Sequence, residues 1–220
     1  LTLEVGRFAQ QAHGAVLATM GETIVLATVV SSAPREGINY FPLSVEYVER
    51  LYAGGIIKGS RWVKREGRAS DDAILTARLI DRSVRPLFPK GYKNEVQIIV
   101  TVLSVDGEND PDMLGVLASS AALAISSIPW NGPIAASRVG HVPDGGFILN
   151  PSTAEKGFSS LDLVVSGSPK KALMLEGKGK QVKEETVLEA IEFAKSHFEK
   201  ILDLISELVK EVGKKKQEFV

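Results

Sequence analysis

Ten basic side chains crowd the stretch from Lys58 to Lys93: Lys58, Arg61, Lys64, Arg65, Arg68, Arg78, Arg82, Arg85, Lys90 and Lys93. Four acids accompany them, so the span carries +6 in a chain of 220 residues whose formal charge is −1. A focused cationic patch on an otherwise acidic chain suits a polyanion held at one place rather than general adhesion. Gly54, Gly55 and Gly59 open the stretch as a loop with few backbone restrictions. Trp62 then stands beside Lys64 and Arg65, with Arg68 close behind. An indole among cations is a grip for single-stranded nucleic acid: bases stack on the ring at ~1–3 kcal/mol each and phosphates meet the charges. The same indole could anchor the loop to a core while the charges stay solvated. The residues alone leave both readings open.

The arginines that follow belong to a helix. Ser70 suits the N-cap, Asp71 and Asp72 suit the positive end of the dipole, and Pro86 ends the run. At about 100° per residue, Arg78, Arg82 and Arg85 share one narrow arc, flanked by Ile74 and Leu75, with Ile80 and Val84 opposite. Apolar residues on several faces predict a largely buried helix, and buried arginines need partners. Asp81 is three positions from Arg78 and four from Arg85, a helical ion-pair spacing. At least one internal pair is expected. The other reading is a fork of guanidiniums facing phosphate.

The surrounding elements are strands and helices in uneven order. Thr2–Val5, Ala15–Met20, Thr23–Val30 and Phe41–Tyr47 read as strands, with a tight turn at Gly21-Glu22 and a loop over Ser31–Asn39. Val96–Val105 reads as a strand central in a sheet. Asp110 and Pro111 open a buried helix rich in small apolar residues, which ends before Pro129. Ile134–Val142 and Phe147–Leu149 form a hairpin across 144–146, and Leu161–Ser166 and Ala172–Glu176 are two more strands. From Val187 to Val212, apolar residues repeat at four-three spacing, which predicts one long amphipathic helix closed by Gly213. Lys214, Lys215 and Lys216 read as a solvated charge run. The order is that of an α+β fold, with mixed sheets packed against helices.

Several chemistries are excluded. There is no cysteine, hence no disulfide and no thiolate metal site. His13, His141 and His197 are scattered, without the spacing of a zinc site. No run of 18 apolar residues predicts a membrane span. No GxGxxG follows a strand, and no phosphate-binding P-loop or Ser-His-Asp set stands out. The absence of cysteine suits a reducing compartment. The chain starts at Leu1 inside a strand, without an initiating Met or signal peptide, and reads as a piece of a longer or processed chain.

Taken together, long ordered motifs resemble the first RNase PH-like core domain of the bacterial-type polynucleotide phosphorylases. They are FPLSVEYVERLYAGG, KREGRASDDAILTARLIDRSVRPLFPKGY, SVDGENDPDMLGVLASSAALAIS, IPWNGPIAASRVG, ILNPS and LDLVVSGS. The resemblance runs from Leu1 to about Val212. It implies a ribosomal-protein-like β-α-β fold, with residues 1–213 as the core domain and 214–220 as a charged tail leading to a following domain not present in this chain. It also implies part of a phosphate-dependent 3′-to-5′ exoribonuclease, a polyribonucleotide nucleotidyltransferase that degrades mRNA to nucleoside diphosphates. Inorganic phosphate is then the attacking co-substrate, and Mg serves in the full enzyme rather than in this domain. The implied partners are single-stranded RNA, two further copies in a homotrimer, and second RNase PH-like, KH and OB-type domains of the same polypeptide. The implied place is the cytoplasm, with no membrane.

Within that family, the loop matching Trp62, Val63, Lys64 and Arg65 lines a channel and contacts RNA. Its usual two aromatics and two basics are reduced here to one aromatic, because Val63 replaces the second ring. Trp62, Lys64, Arg65 and Arg68 are therefore the expected RNA-binding residues. Active domains of the family carry a Thr-Arg pair just inside the helix that starts here at Asp110. Asp112 falls near the arginine's place, and a carboxylate there would repel phosphate. The metal carboxylates expected on a late strand are reduced to Glu176. No catalytic residue and no metal ligand is therefore expected in this chain, and Arg78, Arg82 and Arg85 become RNA-path or structural residues. The alternative is a catalytically silent RNA-binding subunit of an exosome-like ring. A third reading, a single domain active by itself, is disfavoured by Asp112.

Overall fold

In the computed structural model, residues 1–34, 36–57, 59, 67–143 and 145–219 are described. The first sheet opens with a meander of β1 (Thr2–Glu4), β2 (Gly14–Met20) and β3 (Thr23–Ser32). β4 (Leu43–Glu49) does not pair with β3. Instead β5 (Glu95–Ser104) inserts between them, antiparallel to β3 and parallel to β4. The parallel pair needs a crossover, which α1 (Asp71–Val84) supplies. The strand expected over 96–105 is β5, shifted by one residue; it is interior, as its apolar run predicts, and buries Val96, Ile98, Val100 and Val102 on one face. β4 starts two residues later than its sequence suggests, because Phe41 joins an aromatic cluster instead of the ladder.

The centre of the molecule is α2 (Pro111–Ile125). Every residue from Met113 to Ile125 is buried, as expected of a helix that is apolar all round. It packs on β2 and β3 on one side and on β6 (Ala135–Val142) on the other. Close approach is possible because residue 14 is glycine: a Cβ there would lie 2.3 Å from the Ala122 carbonyl oxygen. Ser120 Oγ donates to Ile134 O at 2.8 Å and accepts from Ile134 N at 2.9 Å, pinning the entry to β6.

The second sheet is antiparallel, in the order β7-β6-β8-β9, with β7 at Gly146–Leu149, β8 at Leu161–Gly167 and β9 at Ala172–Gly179. A short α3 (Thr153–Phe158) precedes β8, where no helix was expected. Ser152 and Glu155 form a reciprocal capping box at its start, so Ser-Thr-Ala-Glu is the local signal that marks it.

Three expectations for the helices need correction. The arginine helix is buried on one face only, and Ile74 and Leu75 are exposed. The long C-terminal amphipathic helix is present, but it is bent at His197 into α4 (Glu184–Ser196) and α5 (Phe198–Val212). The Ser196 hydroxyl and the His197 Nδ1–H both donate to Phe193 O, at 2.7 and 2.8 Å, in competition with the helical ladder. Gly213 ends α5, but with extended backbone (φ −65°, ψ 139°) rather than a left-handed cap. Its lack of a side chain serves close packing, since a Cβ would lie 2.3 Å from Val209 O.

The lysine tail also departs from the expectation of a solvated run. Lys214 N donates to Ile125 O at 2.9 Å, and Gln217 N to Ser127 O at 2.8 Å. Lys216 is half-buried and its Nζ donates to Leu123 O and Ser126 O.

Candidate nucleic-acid interface

A groove of about 1260 Å³ runs between β4, the short 3-10 turn at Leu51–Gly54 and the exposed face of α1. Its apolar walls include Val45, Ala73, Ile74 and Ala77, and Arg50, Arg68, Arg78 and Arg82 line it as cations. Glu46, Glu49 and Asp81 line it as acids. The N-terminus of α1 is fixed on this wall by Ser70. Its Oγ accepts from Ala73 N at 3.0 Å, the expected cap, and donates to Glu49 Oε2 at 2.7 Å.

The arginines of α1 divide. Arg78 and Arg82 line the groove together with Arg68, which sits just before the helix. Arg78 makes no ion pair among the described residues, while Arg82 Nη1 lies 3.5 Å from Glu176 Oε2, both side chains half-exposed. Arg85 points elsewhere. It forms the internal pair expected at four-residue spacing, to Asp81, at 2.6 and 2.5 Å. It also donates to the carbonyls of Phe41 and Leu43, tying the end of α1 to the start of β4. The Asp81 hydrogen bond, with its charge, raises the Arg85 pKa against the effect of burial. Trp62, Lys64 and Arg65 lie outside the described residues. Sequence reasoning missed the β4 side of the groove, Glu46, Tyr47 and Glu49. The signal was present in the alternation of that strand, whose polar positions needed a partner other than the core.

A second cluster closes the N-terminal end of α2. Arg138, on β6, has its Nη1 2.7 Å from Asp162 and its Nη2 3.1 Å from Asp112. Its Nε lies 2.8 Å from Asp110 as an ion pair rather than as an aligned hydrogen bond. Lys156, on α3, reaches Asp110 at 2.6 Å. Asp110 is the N-cap by position, as expected, but its carboxylate serves these cations and does not cap the helix. Burial works against the charge on Arg138, yet Asp110, Asp162 and Asp112 outweigh it and raise its pKa. Burial, then the charge of Asp110, raises the Asp112 pKa, against Arg138 and Lys156. Tyr47 sits between groove and cluster. Burial, then Asp112, Glu49 and Asp110, push its phenol up and keep it neutral.

Three carboxylates and two cations thus gather at the N-terminal end of α2. An anion entering there would meet a formal charge of −1 and would have to break this ionic network.

Residues 1–129 match the 3′ exoribonuclease family, domain 1, and residues 132–197 match the 3′ exoribonuclease family, domain 2. The chain is 52% identical over 221 residues to the polyribonucleotide nucleotidyltransferase of Alkaliphilus oremlandii, covering 100% of this chain and 31% of that protein. It is 50% identical to the protein of that name from Thermomicrobium roseum, covering 28% of it. The chain therefore spans less than a third of the length of these relatives. Among solved structures, rice (Oryza sativa) Rrp46 superposes with a TM-score of 0.70 over 95% of this chain and 92% of that one, at 20% identity, which shows a shared fold. By sequence and by fold, the chain belongs to the 3′ exoribonuclease family of RNase PH-like proteins.

Proposed function

We propose that this chain is the RNA-guiding, non-catalytic half of a phosphate-dependent 3′-to-5′ exoribonuclease that degrades mRNA to nucleoside diphosphates. The observation that carries the proposal is the Arg138 cluster. Asp112 stands near the place of the phosphate-binding arginine and is itself held by an internal guanidinium. Phosphorolysis then belongs to a second RNase PH-like domain of the full enzyme. The length of the named relatives supports such further domains.

In this reading, Arg68 and Arg78 present cations along the groove, and Trp62, Lys64 and Arg65 add the stacking ring and the charges beside it. Inorganic phosphate is the co-substrate of the full enzyme. Mg, when bound in the full enzyme, would stabilise charge on the transferring phosphoryl group. The carboxylates here do not fit it. Asp110, Asp112 and Asp162 face Arg138 and Lys156, and among the described residues no three His, Asp or Glu are grouped to hold a metal ion. A homotrimeric ring, KH and OB-type domains, and a cytoplasmic setting complete the proposal. No helix among the described residues is long and apolar enough to cross a membrane.

The test uses the chain itself with single-stranded RNA, inorganic phosphate and Mg. No nucleoside diphosphates should form, while RNA binding should weaken steeply with salt. Replacing Lys64 and Arg65 with Ala should reduce the salt slope by about 0.7 for each RNA phosphate that the variant no longer neutralises. Robust product, or a slope that does not change, would sink the proposal.

A further inference from the structure

The segment after α5 runs back across the C-terminal end of α2 and is held there at defined points. Its backbone donates from Lys214 N and Gln217 N to Ile125 O and Ser127 O. Lys214 Nζ donates to His13 O at 2.9 Å. Lys216 Nζ donates to Leu123 O at 2.7 Å and to Ser126 O at 2.8 Å. Helix ends leave carbonyls unsatisfied, and a cation there also opposes the negative end of the dipole. Lys216 therefore caps α2 from a distant part of the chain, and it has no carboxylate partner among the described residues. Beyond it, the half-exposed Phe219 meets Tyr92 edge-on, with ring centroids 5.3 Å apart.

Tyr92 belongs to the aromatic cluster behind the arginine helix. It packs with Phe41 and Phe88, Phe88 packs with Trp130, and Trp130 Nε1 donates to Val84 O, the last residue of α1, at 2.9 Å. Phe41 also lies under the Arg85 guanidinium at 5.6 Å. The segment thus links the end of α2 to the end of α1 through a handful of bonds near the surface. Segments of this kind open locally at low cost.

We propose that residues 214–219 form a detachable strap whose catch is the Lys216 amine, and that Lys216 is a modification site at which acylation releases the strap. The chemical class of donor is an acyl thioester. The amine nitrogen attacks the acyl carbon, the C–S bond breaks, the thiolate leaves, and the nitrogen loses its proton to solvent. A free amine, charged or neutral, has at least two N–H groups for the two carbonyls. The acylated nitrogen keeps one and gains an acyl group in a half-buried place. Burial also pushes this amine down to about 8, which lowers the cost of giving up its charge on acylation. The proposal is independent of any RNA or phosphate reading of the chain.

The test places Nε-acetyl-lysine at position 216, and at 215 as a control, and follows amide hydrogen exchange. Acetylation at 216 should speed exchange at the Lys214 and Gln217 amides at least tenfold. It should leave the β3 and β5 amides protected, and the 215 control should resemble the parent. In the unmodified chain, an acetyl thioester should label Lys216 faster than Lys215. Unchanged protection at 214 and 217 would overturn the catch. So would free-chain exchange there in the parent, and so would loss of protection in β3 and β5, which would make Lys216 a plug of the core. Slower labelling of Lys216 than of Lys215 would overturn the modification site.

Discussion

Arg138 is 13% exposed and faces three carboxylates at once. Removing one partner of such a group leaves the others uncompensated, at a cost of about 3–5 kcal/mol. Arg138→Met should lower the unfolding free energy in urea by that order. Adding Asp112→Leu to it should recover part of the loss. A loss below about 1 kcal/mol for the single variant would show that the carboxylates find other relief. Nothing local marks this residue in the sequence, because Asp162 and Asp112 lie 24 and 26 positions away. Asp106 shows the opposite kind of residue, a carboxylate in a turn. It accepts from the backbone of Glu22, Glu108 and Asn109 and from the side chains of Thr23 and Asn109. Backbone and side-chain hydrogen bonds from Asn109 lead the causes that depress its pKa. A depressed carboxylate stabilises the fold above its unfolded value, near 3.9, and that contribution fades as pH falls toward the folded value. The thermal midpoint should therefore fall below about pH 4, and Asp106→Asn should lower the midpoint at pH 7 while flattening that acid limb. An acid limb identical in both proteins would assign it to other groups.

Between elements, β2 approaches α2 closely at Gly14. Gly14→Ala should destabilise the chain by about 1–3 kcal/mol or more, because the new methyl meets a backbone carbonyl that cannot swing away. Equal stability of the two proteins by thermal unfolding would mean that α2 can shift at little cost. The elements themselves were largely legible. The strands of both sheets, the Ser70 cap and the all-apolar α2 follow from alternation, caps and composition. The bend at His197 was not, because Ala194, Phe198 and Ile201 continue the helical spacing across it. Local side-chain bonds to Phe193 O decide the break, and periodicity does not register them. The docked tail was not legible either. Three consecutive lysines read as solvated, and only the carbonyls at the end of a helix more than 85 positions earlier give one of them a place. Of the groove, the arc of Arg78 and Arg82 was readable from helical spacing. Arg85 left that arc because the start of β4 offered it two carbonyls.

At the scale of the whole molecule, the two sheets share a core with α2 between them, the second sheet builds a further cluster with α4 and α5, and the order of the first sheet is not the order of the chain. β3 and β4 emerge consecutively, yet neither can complete its pairing until β5 arrives between them. At roughly 5–20 residues per second, a growing chain holds those two open edges for several seconds of translation. An unpaired edge is a template for another chain. Ribosome-bound chains stalled before Glu95 should therefore crosslink to each other or to a holdase chaperone, and chains stalled well past Ser104 should not. Equal crosslinking at both lengths would mean that the edges are shielded by other means. The inserted strand that puts α1 across the sheet, and so builds the groove, thus also sets a window of vulnerability during synthesis.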